Sequence, residues 1–265
     1  MTANAWHRRY LLALDTETTG TDPDLARIVT AAAIRLGPDT RVVHEWMAKP
    51  DVTIPQGAID IHGVTNEVAQ RDGRPTIEVL FRLTELLAAA KATGAPIVGH
   101  NVVYDLTVID RECRRHNVVM PDLGPVIDTM VLDKHVWPYR KGSRRLVDVC
   151  ALYGITLAGA HDSTNDAYAS ARLAHRIASI AEQPESHRPD FTRVGAGHQY
   201  WEDVLVDVAG LHAAQVIWKK TQAASLQEYF RKTKPDAVVS GDWPIQPVAP
   251  GWDPAEHPVE AAVAS

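Results

Sequence analysis

Tyr10-Leu11-Leu12-Ala13-Leu14-Asp15-Thr16-Glu17 decides the fold. Residues 10–16 are apolar until Asp15 and are bounded by Gly20 and Pro23, which predicts a strand. Side chains on a strand alternate between faces, so Leu11, Ala13, Asp15 and Glu17 share one side of the sheet. That face is apolar at first and acidic at its end. Two like charges so close beside a buried strand repel unless something neutralises them. A divalent cation does so economically, and oxygen ligands suit magnesium or manganese better than zinc. The pair alone fits a solvated acidic turn equally well.

Outward from this stretch, 27–36 and 41–48 read as two further strands joined at Gly37-Pro38-Asp39, an antiparallel meander. A loop with Pro50, Pro55 and Gly57 follows. Pro75 then opens an amphipathic helix with Ile77, Leu80, Phe81, Leu83, Leu86 and Leu87 at helical spacing, ending at Gly94. Residues 96–99 form a short buried strand, followed by a helix to about His116, and Val126-Ile127 is the last short strand. Residues 129–137, 145–153 and 163–182 read as helices. Three strands in a row, then alternating strands and helices, predict an α/β sheet with helices against it.

The character changes after Ala181. Residues 184–198 have linker composition. Residues 199–232 carry Trp201, Val204, Leu205, Val208, Leu211, Trp218, Leu226 and Phe230 at roughly helical spacing, with Gly210 as a weak point. This helical extension is expected to pack on the domain, on a second copy as a homodimer, or on a polymerase or repair partner. Residues 235–265 are proline-rich and expected to be poorly ordered.

The chain has 265 residues, a net charge of −6 and two cysteines, Cys113 and Cys150. This composition excludes a disulfide scaffold, a four-cysteine zinc site and a broadly basic nucleic-acid coat. A reducing, cytoplasmic setting fits best. No apolar run reaches membrane-spanning length, so no membrane association is expected.

Further candidate side chains lie outside the first strand. Asp105 follows Gly99-His100-Asn101, and Asp166 lies one turn into a helix that begins near Asp162 or Ser163, with His161 just before it. Taken singly, each reads as a capping, dipole-complementing or loop residue. Taken together, three segments in order resemble the motifs of the histidine-containing DEDD (DnaQ-like) exonucleases: Leu14-Asp15-Thr16-Glu17-Thr18-Thr19-Gly20, Gly99-His100-Asn101-Val102-Val103-Tyr104-Asp105 and His161-Asp162-Ser163-Thr164-Asn165-Asp166-Ala167. That family includes the proofreading subunit of bacterial DNA polymerase III. The resemblance covers roughly residues 9–182, including Ala58-Ile59-Asp60-Ile61-His62-Gly63-Val64-Thr65.

The resemblance implies a ribonuclease H-like mixed sheet flanked by helices. It also implies release of nucleoside monophosphates from the 3′ end of a single strand of DNA or RNA. By position, Asp15, Glu17, Asp105 and Asp166 become the ligands of two Mg²⁺ or Mn²⁺ ions, with Asp15 bridging them, and His161 becomes the general base. Thr18, His62 and Asn101 become substrate contacts. So does Arg144, in the basic run Tyr139-Arg140-Lys141-Gly142-Ser143-Arg144-Arg145. The sequence departs from the pattern at Tyr104, where many relatives have Phe. It also departs at Thr30, where an acidic residue is frequent, and at Gly57, where the proofreading subunit has a glutamate. The alternative is a non-catalytic or accessory nucleic-acid-binding subunit tethered through its C-terminal extension. Because the motifs end at Asp166, a chain ending near Glu182 is expected to keep the chemistry.

Overall fold

The computed structural model describes residues 5–157, 159, 161–193 and 199–254, without the Arg193 side chain. Its centre is β1 (Leu11–Thr18), which pairs antiparallel with β2 (Ile28–Leu36) and parallel with β5 (Ile97–Gly99). Outward from β2 come β3 (Arg41–Lys49) and β4 (Arg74–Pro75), and outward from β5 comes β6 (Val126–Asp128). The order is β4-β3-β2-β1-β5-β6, a mixed sheet as expected.

The alternation along β1 sorts two cores. Leu11 and Ala13 face α7 (Ser163–Ala181) together with Ile34, Val98 and Ile127. Leu12 and Leu14 face α3 (Thr76–Thr93) and α4 (Val103–Arg115) together with Ala31, Ala33 and Ile97. Gly99 permits the close approach of β5 to β1, because a Cβ there would lie 2.9 Å from the Leu14 carbonyl oxygen. The chain therefore turns towards the Asp15 end of the sheet immediately after Gly99.

Three local expectations differ from what is observed. The loop read ahead of Pro75, with Pro50, Pro55 and Gly57, gives way to two short helices, α1 (Gln56–His62) and α2 (Asn66–Asp72). Gly63 ends the first in the left-handed region, φ 77°, and Thr65 caps the second by accepting from the Val68 amide. The buried stripe of α3 runs through Val79, Leu80, Leu83, Leu87 and Ala90, whereas Ile77 and Phe81 face solvent. Gly210 is no weak point either. The C-terminal helix α8 (Val208–Thr233) starts only two residues earlier, and its cap Asp207 accepts from the Gly210 amide at 2.8 Å.

Beyond Ala181 the described residues pack against the rest of the chain. The described part of the 184–198 stretch is packed rather than free. Arg188 is buried and donates to the Gln183 carbonyl, while the Phe191 ring stands edge-on to Tyr153. Trp201 is fully buried, joining Val204 and Leu211 in the core under α7. The Trp6 indole donates to the Val204 carbonyl at 3.0 Å, tying this segment to the N-terminus. α8 also completes the sheet. Gln215 accepts from the Asp128 amide at 2.8 Å and donates to the Val126 carbonyl at 3.0 Å, and His212 accepts from the Val126 amide. Side chains thus satisfy the outer edge of β6 where another strand would otherwise be needed. Residues 199–232 are therefore part of the same folded unit as the sheet.

The stretch expected to be poorly ordered also packs along α4 in its described part. Trp243 is buried, and Arg111 donates to the Gln246 and Pro247 carbonyls. The Trp252 indole donates to the Asp24 carbonyl. Residues 194–198 of the expected linker and 255–265 of the expected tail lie outside the described residues. Among the described residues, no helix is long and apolar enough to cross a membrane.

Candidate active site

The carboxylates gather where β1 ends. Asp15 and Glu17 project towards α7, as the alternation of β1 requires, and meet Asp166 in the first turn of that helix. Thr16 points to the opposite face. Its backbone N–H and its hydroxyl both donate to Asp105 Oδ1, at 2.9 and 2.7 Å, which brings the α4 carboxylate to the same sheet end. Thr30 of β2 donates to the Ser163 hydroxyl at 3.2 Å and so ties the start of α7 to the sheet.

His161 stands in the left-handed region, φ 66°, and its amide donates to Asp166 Oδ2 at 3.2 Å. Asp162 then caps α7 by accepting from the Asn165 amide at 2.9 Å. The result is a cluster in which Glu17, His161 and Asp166 each offer a ligand atom, all within 4.8 Å of one another. Asp166 Oδ1 is buried without a hydrogen-bond partner.

The electrostatics are those of uncompensated negative charge. Burial raises the Asp15 carboxyl well above the ordinary carboxylate range, and Asp105, Asp166, Glu17 and Asp162 add to the effect. Glu17 is pushed up to about 7 by burial and then by Asp166, Asp105 and Asp162. Asp105 rises to about 7 because burial outweighs its hydrogen bonds from Thr16. Asp166 is raised by burial, with the His161 amide opposing. Carboxylates crowded in this way accept a divalent cation readily, since it supplies the missing positive charge. An all-oxygen set with one adjacent imidazole, containing an orphaned buried carboxylate oxygen, fits Mg²⁺ or Mn²⁺.

The expected substrate contacts are distributed unevenly. Thr18 ends β1 beside the cluster. Its hydroxyl lies 2.5 Å from that of Tyr104, and both reach the Gly20 carbonyl. His62 comes from the end of α1. Its Nδ1 accepts from the Val64 amide, while its Nε2 is buried without a hydrogen-bond partner. Burial lowers its pKa, with a hydrogen bond to the Thr18 backbone opposing this and His161 adding to the lowering. Asn101 follows β5 at φ 61°, its amide donating to Asp128 Oδ1 at 2.9 Å.

Arg144 is a correction. Its guanidinium turns inward to Asp133, with Nη1 to Oδ2 at 2.5 Å, and donates to the Trp137 carbonyl at 2.9 Å. Arg140 meets the same fully buried carboxylate at 2.9 Å. The basic run therefore neutralises Asp133 and, through the Arg144 carbonyl, holds His100 Nε2 at 2.8 Å.

Sequence reasoning did not assign roles to Thr16, Asp128 or Asp162. Thr16 had no signal, since it acts through a partner distant in sequence, whereas Asp128 carried a local one, capping the helix Thr129–Val136 by accepting from the Met130 amide at 2.9 Å. Asp162 had one, because an aspartate three residues before Asn165 at a helix start is a capping position.

Residues 12–174 match the exonuclease family RNase_T. The chain is 26% identical over 225 residues to the PolC-type DNA polymerase III of Lacticaseibacillus paracasei, covering 83% of this chain and 14% of that protein. It is 27% identical over 139 residues to the 3′-5′ exonuclease DinG of Bacillus subtilis, covering 51% of this chain and 14% of that protein. Among solved structures it is similar to E. coli exonuclease I in a zinc-bound complex with single-stranded DNA. That match has a TM-score of 0.57 and 25% identity, over 64% of this chain and 41% of that one. The chain thus spans about a seventh of those curated relatives.

Proposed function

The chain belongs to the exonuclease family, and on that premise we propose that it removes nucleoside monophosphates one at a time from the 3′ end of a single strand. The observation that carries this reading is the convergence of Glu17, His161 and Asp166 within 4.8 Å, at the sheet end that also bears Asp15 and Asp105. Asp15, Glu17, Asp105 and Asp166 are the residues that would hold two Mg²⁺ or Mn²⁺ ions. Such ions, when bound, generate a nucleophile at neutral pH and stabilise the leaving oxygen of an in-line displacement.

The protein's own part is positioning and proton transfer. His161 takes the proton of the attacking water on a ring nitrogen. Among the described residues neither ring nitrogen is hydrogen-bonded, and its backbone is anchored on Asp166. Thr16 keeps Asp105 aimed at the cluster. Thr18, His62 and Asn101 line the approach of the terminal nucleotide. The side-chain amide of Asn101 makes no hydrogen bond among the described residues, which leaves it available to the substrate.

DNA is the substrate we favour, because the similar E. coli exonuclease I was solved on single-stranded DNA. A polymerase partner fits the PolC-type relatives. Of the former extension, the outer side of α8, with Ile217 and Tyr229 exposed, is the surface we assign to such a partner or to a second copy. A reducing cytoplasm suits Cys113 and Cys150, both free. The reading is tested by digesting matched single-stranded DNA, duplex DNA and short RNA with magnesium. Single-stranded DNA is expected to be degraded fastest, and inertness towards all three would overturn the proposal.

A further inference from the structure

A second concave site lies at the far end of the sheet. A cavity of about 660 Å³ opens where β1 begins and β2 ends, with Leu11, Leu36 and Ile155 on its wall. Arg8, Arg9, Arg172, His175 and Arg176 also line it. Leu11 is four residues from Asp15 along a strand, about 13 Å. Arg176 is ten residues from Asp166 along α7, about 15 Å. The cavity is therefore separate from the carboxylate cluster.

Its charge runs against that of the chain, which is −6 overall. Arg8 is paired with Glu182. Arg172 donates only to the Thr156 carbonyl, at 3.2 Å, and leans over the Tyr168 ring. Arg9 and Arg176 have no side-chain hydrogen bond or ion pair among the described residues. Three guanidinium groups without a carboxylate, around one concavity, concentrate anions. Guanidinium groups bind phosphate oxygens two at a time and stack on planar rings. The volume is that of a small-molecule site, and the apolar wall suits a ring rather than a second anionic group.

We propose that this cavity binds a nucleoside phosphate, its phosphate on Arg9, Arg172 and Arg176 and its base against Leu11, Leu36 and Ile155. An acidic peptide would match the charge but leave the apolar wall of Leu11, Leu36 and Ile155 without a planar partner. Two sources share the ligand chemistry: a monophosphate, such as the proposed reaction releases, and a triphosphate from the surrounding pool.

The test is calorimetric titration of the full chain with dAMP, ATP and inorganic phosphate. Saturable 1:1 nucleotide binding is expected, weakened at least tenfold in Arg9→Ala/Arg176→Ala and unchanged in Asp15→Asn/Asp166→Asn. Tighter dAMP assigns the site to a product and tighter ATP to the surrounding pool. The proposal is overturned if neither nucleotide binds at millimolar concentration, or if inorganic phosphate binds as tightly as both. It is equally overturned if binding disappears with the carboxylate changes and survives the arginine changes. Should the arginine variant fail to fold, amide-shift mapping on the unaltered chain decides. Nucleotide-induced shifts at Gly37 and Arg172 support the site, and shifts confined to Thr18 and Asn101 overturn it.

Discussion

The backbone amide of His161 donates to Oδ2 of Asp166 at 3.2 Å, so the loop histidine and the helix carboxylate are set by one contact. The contact requires His161 to sit at φ 66°, a region that Asn adopts more easily than most residues. His161→Asn therefore keeps the backbone while removing the proton acceptor. Its kcat is expected to fall about 10²–10⁴-fold with metal affinity within a few-fold of the original. Single-turnover cleavage at saturating Mg²⁺ checks this. An unchanged rate would mean that His161 is not the base.

Metal should matter more to stability as pH rises. Glu17 and Asp105 titrate near 7 in the fold and near 4 when unfolded, so the folded chain holds more protons between those values. Their contribution to stability therefore falls as pH rises through that window. His7 works the other way: burial lowers it to about 4, so its contribution is lost as pH drops below about 6.5. Glu17→Gln isolates the first effect. Without divalent ions its melting temperature should exceed that of the unaltered chain at pH 8 and by less at pH 5. Mg²⁺ should raise the unaltered chain's melting temperature more at pH 8 than at pH 5. Differential scanning fluorimetry reads both, and equal Mg²⁺ effects at the two pH values would contradict the metal assignment.

Arg144→Ala should act on stability rather than on substrate affinity. It leaves Asp133, fully buried, with only Arg140 and the Tyr153 hydroxyl. Losing one of two guanidinium partners of a buried carboxylate costs about 1–3 kcal/mol. Urea unfolding is expected to show such a loss while KM for single-stranded DNA stays within about threefold. A raised KM with unchanged stability would return Arg144 to the substrate path.

The C-terminal third is also structural. Trp201→Ala removes a fully buried ring from the core under α7, at a cost of about 3–5 kcal/mol, which in a chain of this size lowers the melting temperature by roughly 10 °C. A chain ending at Glu182 loses Trp201, Val204, Leu211 and the Gln215 bonds to β6 together. It is expected not to give a cooperative thermal transition. A cooperative, active truncation would restore the boundary expected from sequence.

The legible parts were those with a local period or a contiguous motif. Alternation along β1 put Asp15 and Glu17 on one face, and the helix start near Asp162 put Asp166 one turn in. Helices α1 and α2 were hidden because Pro55 and Gly57 read as breakers, whereas Pro55 precedes a first turn that needs no amide hydrogen from it. The inward turn of Arg144 was not legible because a basic run does not reveal a buried partner, Asp133, eleven residues away. Which surface the helix over 199–232 covers was not legible, because nothing local marks Trp201 as meeting the core or Gln215 as closing a sheet edge.

The most direct test of the central claim is digestion of a 5′-labelled single-stranded DNA with Mg²⁺, sampled over time on a sequencing gel beside Asp15→Asn. The account predicts a ladder that shortens one nucleotide at a time from the 3′ end, with 5′-monophosphates released, and essentially no shortening by Asp15→Asn. Internal cuts without a ladder, or the same ladder from Asp15→Asn, would contradict it.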